Sequence, residues 1–136
     1  MKLSAKVEYA CLAIIALARQ DQDESPVRAR VIAEGNGIPE KYLVQILLQL
    51  KAANLVRSTR GSLGGYRLAR PAQTISLLEV IHAIEGPDQS PREEQNLASR
   101  VLAAVLDRIR SAERLVLAQT SMAQLADLSS PHDWVI

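Results

Sequence analysis

Near the start of the chain, apolar residues recur at the three- and four-residue spacing of a helix. Val7, Ala10, Cys11, Ile14, Ile15 and Ala18 form one stripe, with Ser4 placed as its N-cap. The polar turn DQDESP ends it. Ser25 and Pro26 then offer an N-cap and a first-turn proline for a short helix over VRARVIAEG, closed by Gly35-Asn36-Gly37, where left-handed backbone is tolerated. A third helix begins near Pro39, with Tyr42, Leu43, Ile46, Leu47 and Leu50 inward and Lys41, Val44, Gln45 and Leu48 facing elsewhere. Two helices separated by GNGI, after a longer one, have the spacing of a helix-turn-helix.

Beyond the third helix the period changes. LVRSTRGSLGGYRLA reads as two short strands about a glycine-rich turn, because Leu55-Val56 and Tyr66 to Leu68 suit strands and Gly61, Gly64 and Gly65 permit positive φ. The expected fold is therefore mainly α: a winged helix-turn-helix domain with a small β-hairpin wing. SLLEVIHAIEG follows, with a Ser76/Glu79 capping box, an apolar face of Leu77, Val80, Ile81 and Ile84, and a stop at Gly86. This helix is expected to pack on the base of the wing.

A second capping box, Ser90 to Glu93 with Pro91 at the first helical position, predicts a long helix running to about Ala118. Leu97, Val101, Leu102, Val105, Ile109 and Ala112 form its stripe, spanning roughly 40 Å at the standard rise. An apolar stripe that outruns its own domain is buried most simply against a second copy, which makes this a dimerisation helix and the chain a homodimer. The alternative is a helix folded back on its own domain. Thr120 or Ser121 caps a last short helix with Met122 and Leu125 inward. Residues 1–86 are thus expected to form the DNA-binding domain, and residues 87–136 the long helix, the short helix and a tail.

Composition narrows the setting. A chain of 136 residues with 48% apolar content can bury one domain's core. It has no run of eighteen apolar residues and no signal-peptide pattern, so a cytoplasmic protein without membrane association is expected. The single cysteine, Cys11, excludes an intrachain disulfide, and no Cys/His spacing suits zinc. The formal net charge of +1 hides an asymmetry: residues 1–70 carry eleven Lys and Arg against six Asp and Glu, and the remainder five against nine. From Lys41 to Leu78 there are six basic residues and no acid, a local surface suited to a polyanion.

An enzyme is not expected. The glycine cluster lacks a phosphate-loop lysine and does not follow a buried strand and open a helix. The two histidines, His82 and His132, have no serine or cysteine in a nucleophile context nearby, and Cys11 lies on an apolar stripe as a small hydrophobe. For double-stranded DNA the same parts cohere. A helix entering the major groove presents Glu40, Lys41, Val44 and Gln45 to base edges: Gln45 pairs with adenine, Lys41 reaches guanine or phosphate, and Val44 touches a thymine methyl. Arg60 at the hairpin tip suits a narrow minor groove, and Gly61, Gly64 and Gly65 let the wing's backbone come close. Arg28, Arg57 and Arg67 are expected phosphate contacts.

MKLSAKVEYACLAIIALA, IPEKYLVQILLQLKAANLVRSTRGSLGGYRLARP and ISLLEVIHAIEGP closely resemble the Rrf-two family of bacterial winged-helix regulators, from Met1 to about Pro87 and more loosely to Leu128. The resemblance implies a dimeric transcription factor, with the segment from Tyr42 to Leu47 in the major groove of a pseudo-palindromic operator and Arg60 in the minor groove. Where the family often has glutamate this chain has Val44, so the family's cytosine contact is lost. Cluster-binding members supply three cysteines after the helix that follows the wing, and GPDQSPREEQNLASR has none. No iron-sulfur cluster or other cofactor is expected. The family's cysteine-metabolism repressor also lacks the cluster and works with cysteine synthase, an enzyme that accepts C-termini ending in isoleucine. The resemblance therefore makes Trp134, Val135 and Ile136 of the terminal DWVI a candidate insertion into that enzyme, against the alternative of a tail packed on its own dimer. A protein-interaction regulator with weak or no DNA binding is the competing function.

Overall fold

The computed structural model describes residues 2–20, 25–87, 93 and 95–129. Its elements are α1 (Ala5–Gln20), α2 (Ala29–Asn36), α3 (Glu40–Ala52), β1 (Val56–Thr59), β2 (Gly65–Leu68), a 3-10 turn (Ala72–Thr74), α4 (Leu77–Glu85), α5 (Leu97–Gln119) and α6 (Met122–Ser129). β1 and β2 form an antiparallel hairpin in which Val56 faces Leu68 and Thr59 faces Gly65. This is the expected winged helix-turn-helix.

α1 lies at the centre and touches α2, α3, α4, α6 and β2. Ser4 caps it as expected, its Oγ accepting from the Val7 amide at 3.2 Å. The buried set is broader than one stripe: Ala13 and Leu17 are buried alongside Val7, Ala10 and Ile14, whereas Cys11, Ile15 and Ala18 are half-buried. A helix enclosed by several neighbours buries more than one face, which a single-stripe reading undercounts. Ile32, Leu43, Ile46, Leu47, Leu50, Val56, Ile75, Val80 and Met122 complete the core, so α6 belongs to it through Met122.

Two helix starts differ from expectation. α2 begins at Ala29, after an extended Arg28 with no side-chain cap, rather than at Ser25-Pro26. The reason is Val27, whose amide donates to the Tyr66 carbonyl at 2.8 Å and whose carbonyl accepts from the Tyr66 amide at 2.7 Å. Val27 is committed to the sheet as a third, one-residue rung. α5 begins at Leu97: Asn96 and Ser99 form its capping box, the Ser99 amide donating to Asn96 Oδ1 at 2.9 Å and the Asn96 amide to Ser99 Oγ at 3.0 Å. Glu93 is not helical, and Ser90 and Pro91 lie outside the described residues. A local Asn-x-x-Ser box is satisfied within four residues and sets the start, shortening the helix to about 34 Å.

The C-terminal part returns to the domain. Ser121, not Thr120, caps α6, accepting from the Gln124 amide at 3.1 Å. The Leu77 amide donates to the Thr120 carbonyl and the Met122 amide to the Ile75 carbonyl, both at 2.8 Å, so the starts of α4 and α6 are laced together.

Candidate nucleic-acid interface

The turn between α2 and α3 is built by Gly37, whose left-handed φ of 64° lets its amide close α2 on the Ala33 carbonyl. Ile38 then anchors the turn in the core, and its amide also donates to the Ala33 carbonyl, at 3.0 Å. α3 starts immediately after Pro39, with Leu43, Ile46, Leu47 and Leu50 buried. Asn54, at φ 61°, ends the helix so that the Leu55 amide reaches the Leu50 carbonyl at 3.0 Å. Each apolar residue on the inner side of α3 is thereby spent on its own core, and the outer side is left to other chemistry.

On that outer side Glu40, Lys41 and Gln45 are exposed, Leu48 is 54% exposed and Val44 is half-buried. Lys41 and Gln45 have no side-chain partner among the described residues. Glu34 accepts from Arg30 Nε at 2.9 Å, and that hydrogen bond, the Glu34 charge and then the Glu40 charge raise the Arg30 guanidinium's pKa. Tyr42 turns away from the outer face and packs its ring edge-on against Tyr9, with centroids 5.7 Å apart. It steadies α3 on α1.

The wing is braced at both ends. Its β2 strand is held by the Val27–Tyr66 pair, and its tip by Arg28, whose guanidinium donates to the Ser62 carbonyl. Arg28, expected on phosphate, is exposed and also links α2 to the wing. Two of the glycines answer to the chain itself: a Cβ on Gly64 would lie 2.3 Å from the Thr59 carbonyl oxygen, and one on Gly65 would lie 2.6 Å from that of Val27. Gly65 is also at φ 147°, and Gly61 at φ 106° turns the tip in open space. The tip so formed carries Arg60, exposed and without a partner among the described residues.

Arg57 and Arg67 stand directly opposite one another in the hairpin register, both exposed. Like charges in that arrangement destabilise a sheet. They line a hollow of about 420 Å³ with Leu17, Gln20, Ser25, Val27, Tyr66 and Leu68, a setting in which an anion relieves their repulsion. Lys41, Gln45, Arg57, Arg60 and Arg67 are exposed on α3 and the wing, while Arg28 and Tyr42 also make contacts within the chain. The roles of Arg28 and Val27 were missed in the sequence; the extended pairing of Val27 was signalled by its β-branch after Pro26.

α5 is different. None of its residues is buried, and Leu97, Val101, Leu102, Val105, Ile109 and Val116 are all large and exposed, between 45% and 72%. Ala112 is exposed in the same stripe, while Ala103, Leu106, Glu113 and Leu117 are half-buried on the side facing α4. Trp134, Val135 and Ile136 lie outside the described residues.

The chain has one cysteine, Cys11 on α1, where an iron-sulfur cluster is ordinarily held by several thiolates, and burial followed by the Glu8 charge pushes its thiol up to about 11. Among the described residues no three His, Cys, Asp or Glu side chains are grouped to hold a metal ion, and no helix is long and apolar enough to cross a membrane.

Residues 3–128 match the Rrf2 family, described as "Iron-dependent Transcriptional regulator". The chain is 36% identical over 128 residues to the HTH-type transcriptional regulator CymR of Bacillus subtilis (strain 168), covering 93% of this chain and 90% of that one. The solved structure of CymR (YrzC), "the Global Cysteine Regulator of B. subtilis", superimposes with a TM-score of 0.83 at 34% identity over 96% of this chain and 99% of that one. T. potens IscR follows at 0.78 and 31%, over 95% and 89%. With helix-turn-helix, wing and long helix all in place and the match spanning nearly the whole chain, the protein belongs to the Rrf2 family of DNA-binding transcriptional regulators.

Proposed function

We propose that the chain acts as a cytoplasmic homodimeric repressor that reads a pseudo-palindromic operator in double-stranded DNA, without an iron-sulfur cluster. The observation that carries this reading is the acid-free run from Lys41 to Leu78, whose Lys41, Gln45, Arg57, Arg60 and Arg67 are exposed together on α3 and the hairpin. α3 enters the major groove, Gln45 pairing with adenine, Lys41 reaching guanine or phosphate, and Val44 supplying a methyl contact to thymine. Glu40, exposed at the start of α3, disfavours acceptor-rich edges at the groove's mouth. Arg60 enters the minor groove, and the Arg57–Arg67 pair takes phosphate.

Two copies join through the exposed stripe of α5, which is continuous over its length and has no other cover among the described residues. A two-fold dimer then places two reading helices on two half-sites. A protein of this size acts most simply by occupying its operator, which is repression.

The test is binding to an operator selected from a random DNA pool, followed over a range of salt. Arg60→Ala is expected to weaken binding on every sequence and to lower the salt slope by about 1. Gln45→Ala is expected to cost about 1 to 3 kcal/mol, and only where its base pair is intact. Unchanged binding in both variants overturns the placement of helix and wing.

A further inference from the structure

We propose that the cleft between α4 and α5 binds a small zwitterion of the α-amino-acid class and that its occupancy regulates the protein; the regulatory half rests on the DNA-binding reading above. The cleft holds about 230 Å³. That is below the size of most drug-like sites, at about 300 to 1,000 Å³, and suits a molecule of few heavy atoms. Its floor is apolar, from Leu78 and Ile81 of α4 and Leu117 of α5, and its rim carries both signs of charge: Glu85 and Glu113 against Lys2, Arg110 and Arg114, with His82 beside them.

Arg110 and Arg114 are four residues apart on one helix, where like charges repel. Asp107 offsets only Arg110, at 3.5 Å, and Arg114 has no partner among the described residues. Glu113 on the same rim has a partner of its own, so the charge left over is that of Arg114, and a ligand carboxylate beside it completes the arrangement. Glu85 closes the C-terminal end of α4, where the negative end of the helix dipole adds to its charge and favours an ammonium group. The apolar floor between the two poles accepts a short side chain.

The location gives occupancy a consequence. α4 touches α1 and α3 on one side and α5 on the other, so it is the seam between the reading helix and the long helix. A ligand that wedges or draws together α4 and α5 changes how the two reading helices of a dimer are spaced. The cleft also lies on the face of α5 turned toward its own domain, away from the exposed stripe, so a second copy leaves it open.

The experiment is isothermal titration of the full chain, without DNA, against the proteinogenic amino acids. Each one that binds is compared with its deaminated acid and its decarboxylated amine. Amino acids with short uncharged side chains are expected to bind, and loss of either charge to weaken binding by about tenfold or more. Arg114→Ala and Glu85→Gln are each expected to remove binding while leaving the unfolding midpoint unchanged. The proposal is overturned if no amino acid binds, if the deaminated acid binds as well as its parent, or if Arg114→Ala binds normally. Operator affinity is then measured with and without the ligand. A ligand that binds and leaves operator affinity unchanged overturns the regulatory half, whereas failure to bind any operator counts against the DNA reading and not against the cleft.

Discussion

α3 and α5 are both periodic amphipathic helices, and they end in opposite states. α3, at 13 residues, buries Leu43, Ile46, Leu47 and Leu50 completely in the core of its own chain. α5, at 23 residues, buries none, although Val101, Val105 and Ile109 repeat at similar spacing. Periodicity states which residues of a helix share a face; it does not state what covers that face. For α3 the cover is α1, α4 and β1 of the same chain. For α5 the α4 side takes Leu106 and Leu117 only in part, and the stripe a third of a turn around has no cover among the described residues.

The sharpest way to break this comparison is to charge the exposed stripe. Val105→Glu with Ile109→Glu changes no buried residue, so the chain should still fold, with an unfolding midpoint that is lower and no longer rises with protein concentration, while sedimentation shows a monomer. Two half-sites bound through one dimer gain about 10²- to 10⁴-fold over a single one, and that gain should vanish from the operator affinity. A dimer surviving both substitutions would mean that copies meet elsewhere. The matching change in α3 has the opposite signature. Ile46→Ala removes side-chain bulk from a fully buried site and should cost about 2 to 5 kcal/mol in chemical denaturation. Its effect on the monomer–dimer equilibrium should be small wherever the protein remains folded.

The same contrast explains what could be read beforehand. The helix-turn-helix, the hairpin and the capping box at Ser76 and Glu79 were legible because each is decided locally, by spacing, by glycine and by one side chain answering one amide. The places that were not legible are decided at a distance. Ser25-Pro26 looks like a helix start until Val27 is claimed by Tyr66, a residue far along the chain. Ser90-x-x-Glu93 looks like a cap, and Asn96-x-x-Ser99 supplies the one observed. Arg28 reads as one more basic residue, and only the fold brings Ser62 to it. Lys41, Gln45, Arg57, Arg60 and Arg67 were expected outward from type and position and are exposed; the contacts of Tyr42 with Tyr9 and of Arg28 with the wing needed the fold.

The smallest expected effect lies in α4, the helix that joins the two regions. Glu79 accepts from Arg70, which leaves the end of β2, and from the Ser76 amide at 2.9 Å, so it ties the wing's exit to the start of α4. Partial burial pushes its carboxyl up, but the hydrogen bonds from Arg70 and Ser76 and the Arg70 charge outweigh this and hold it below the ordinary 4.5. A carboxyl lowered in the folded state stabilises the fold above its unfolded pKa, and that contribution is lost as pH falls through the lower folded value. Arg70 and Glu79 are 36% and 43% exposed, so solvent screening keeps the contribution small. Glu79→Gln should cost less than about 1 kcal/mol near neutral pH, because glutamine retains the capping geometry and loses only the charge. Denaturation in urea across acid pH should show the variant and the parent converging below 4.5, as the parent's Glu79 becomes protonated. A difference that persisted unchanged through that range would show that geometry, not charge, holds the seam. In either case dimerisation through α5 should be untouched, since Glu79 stands on the winged side of α4 with Arg70.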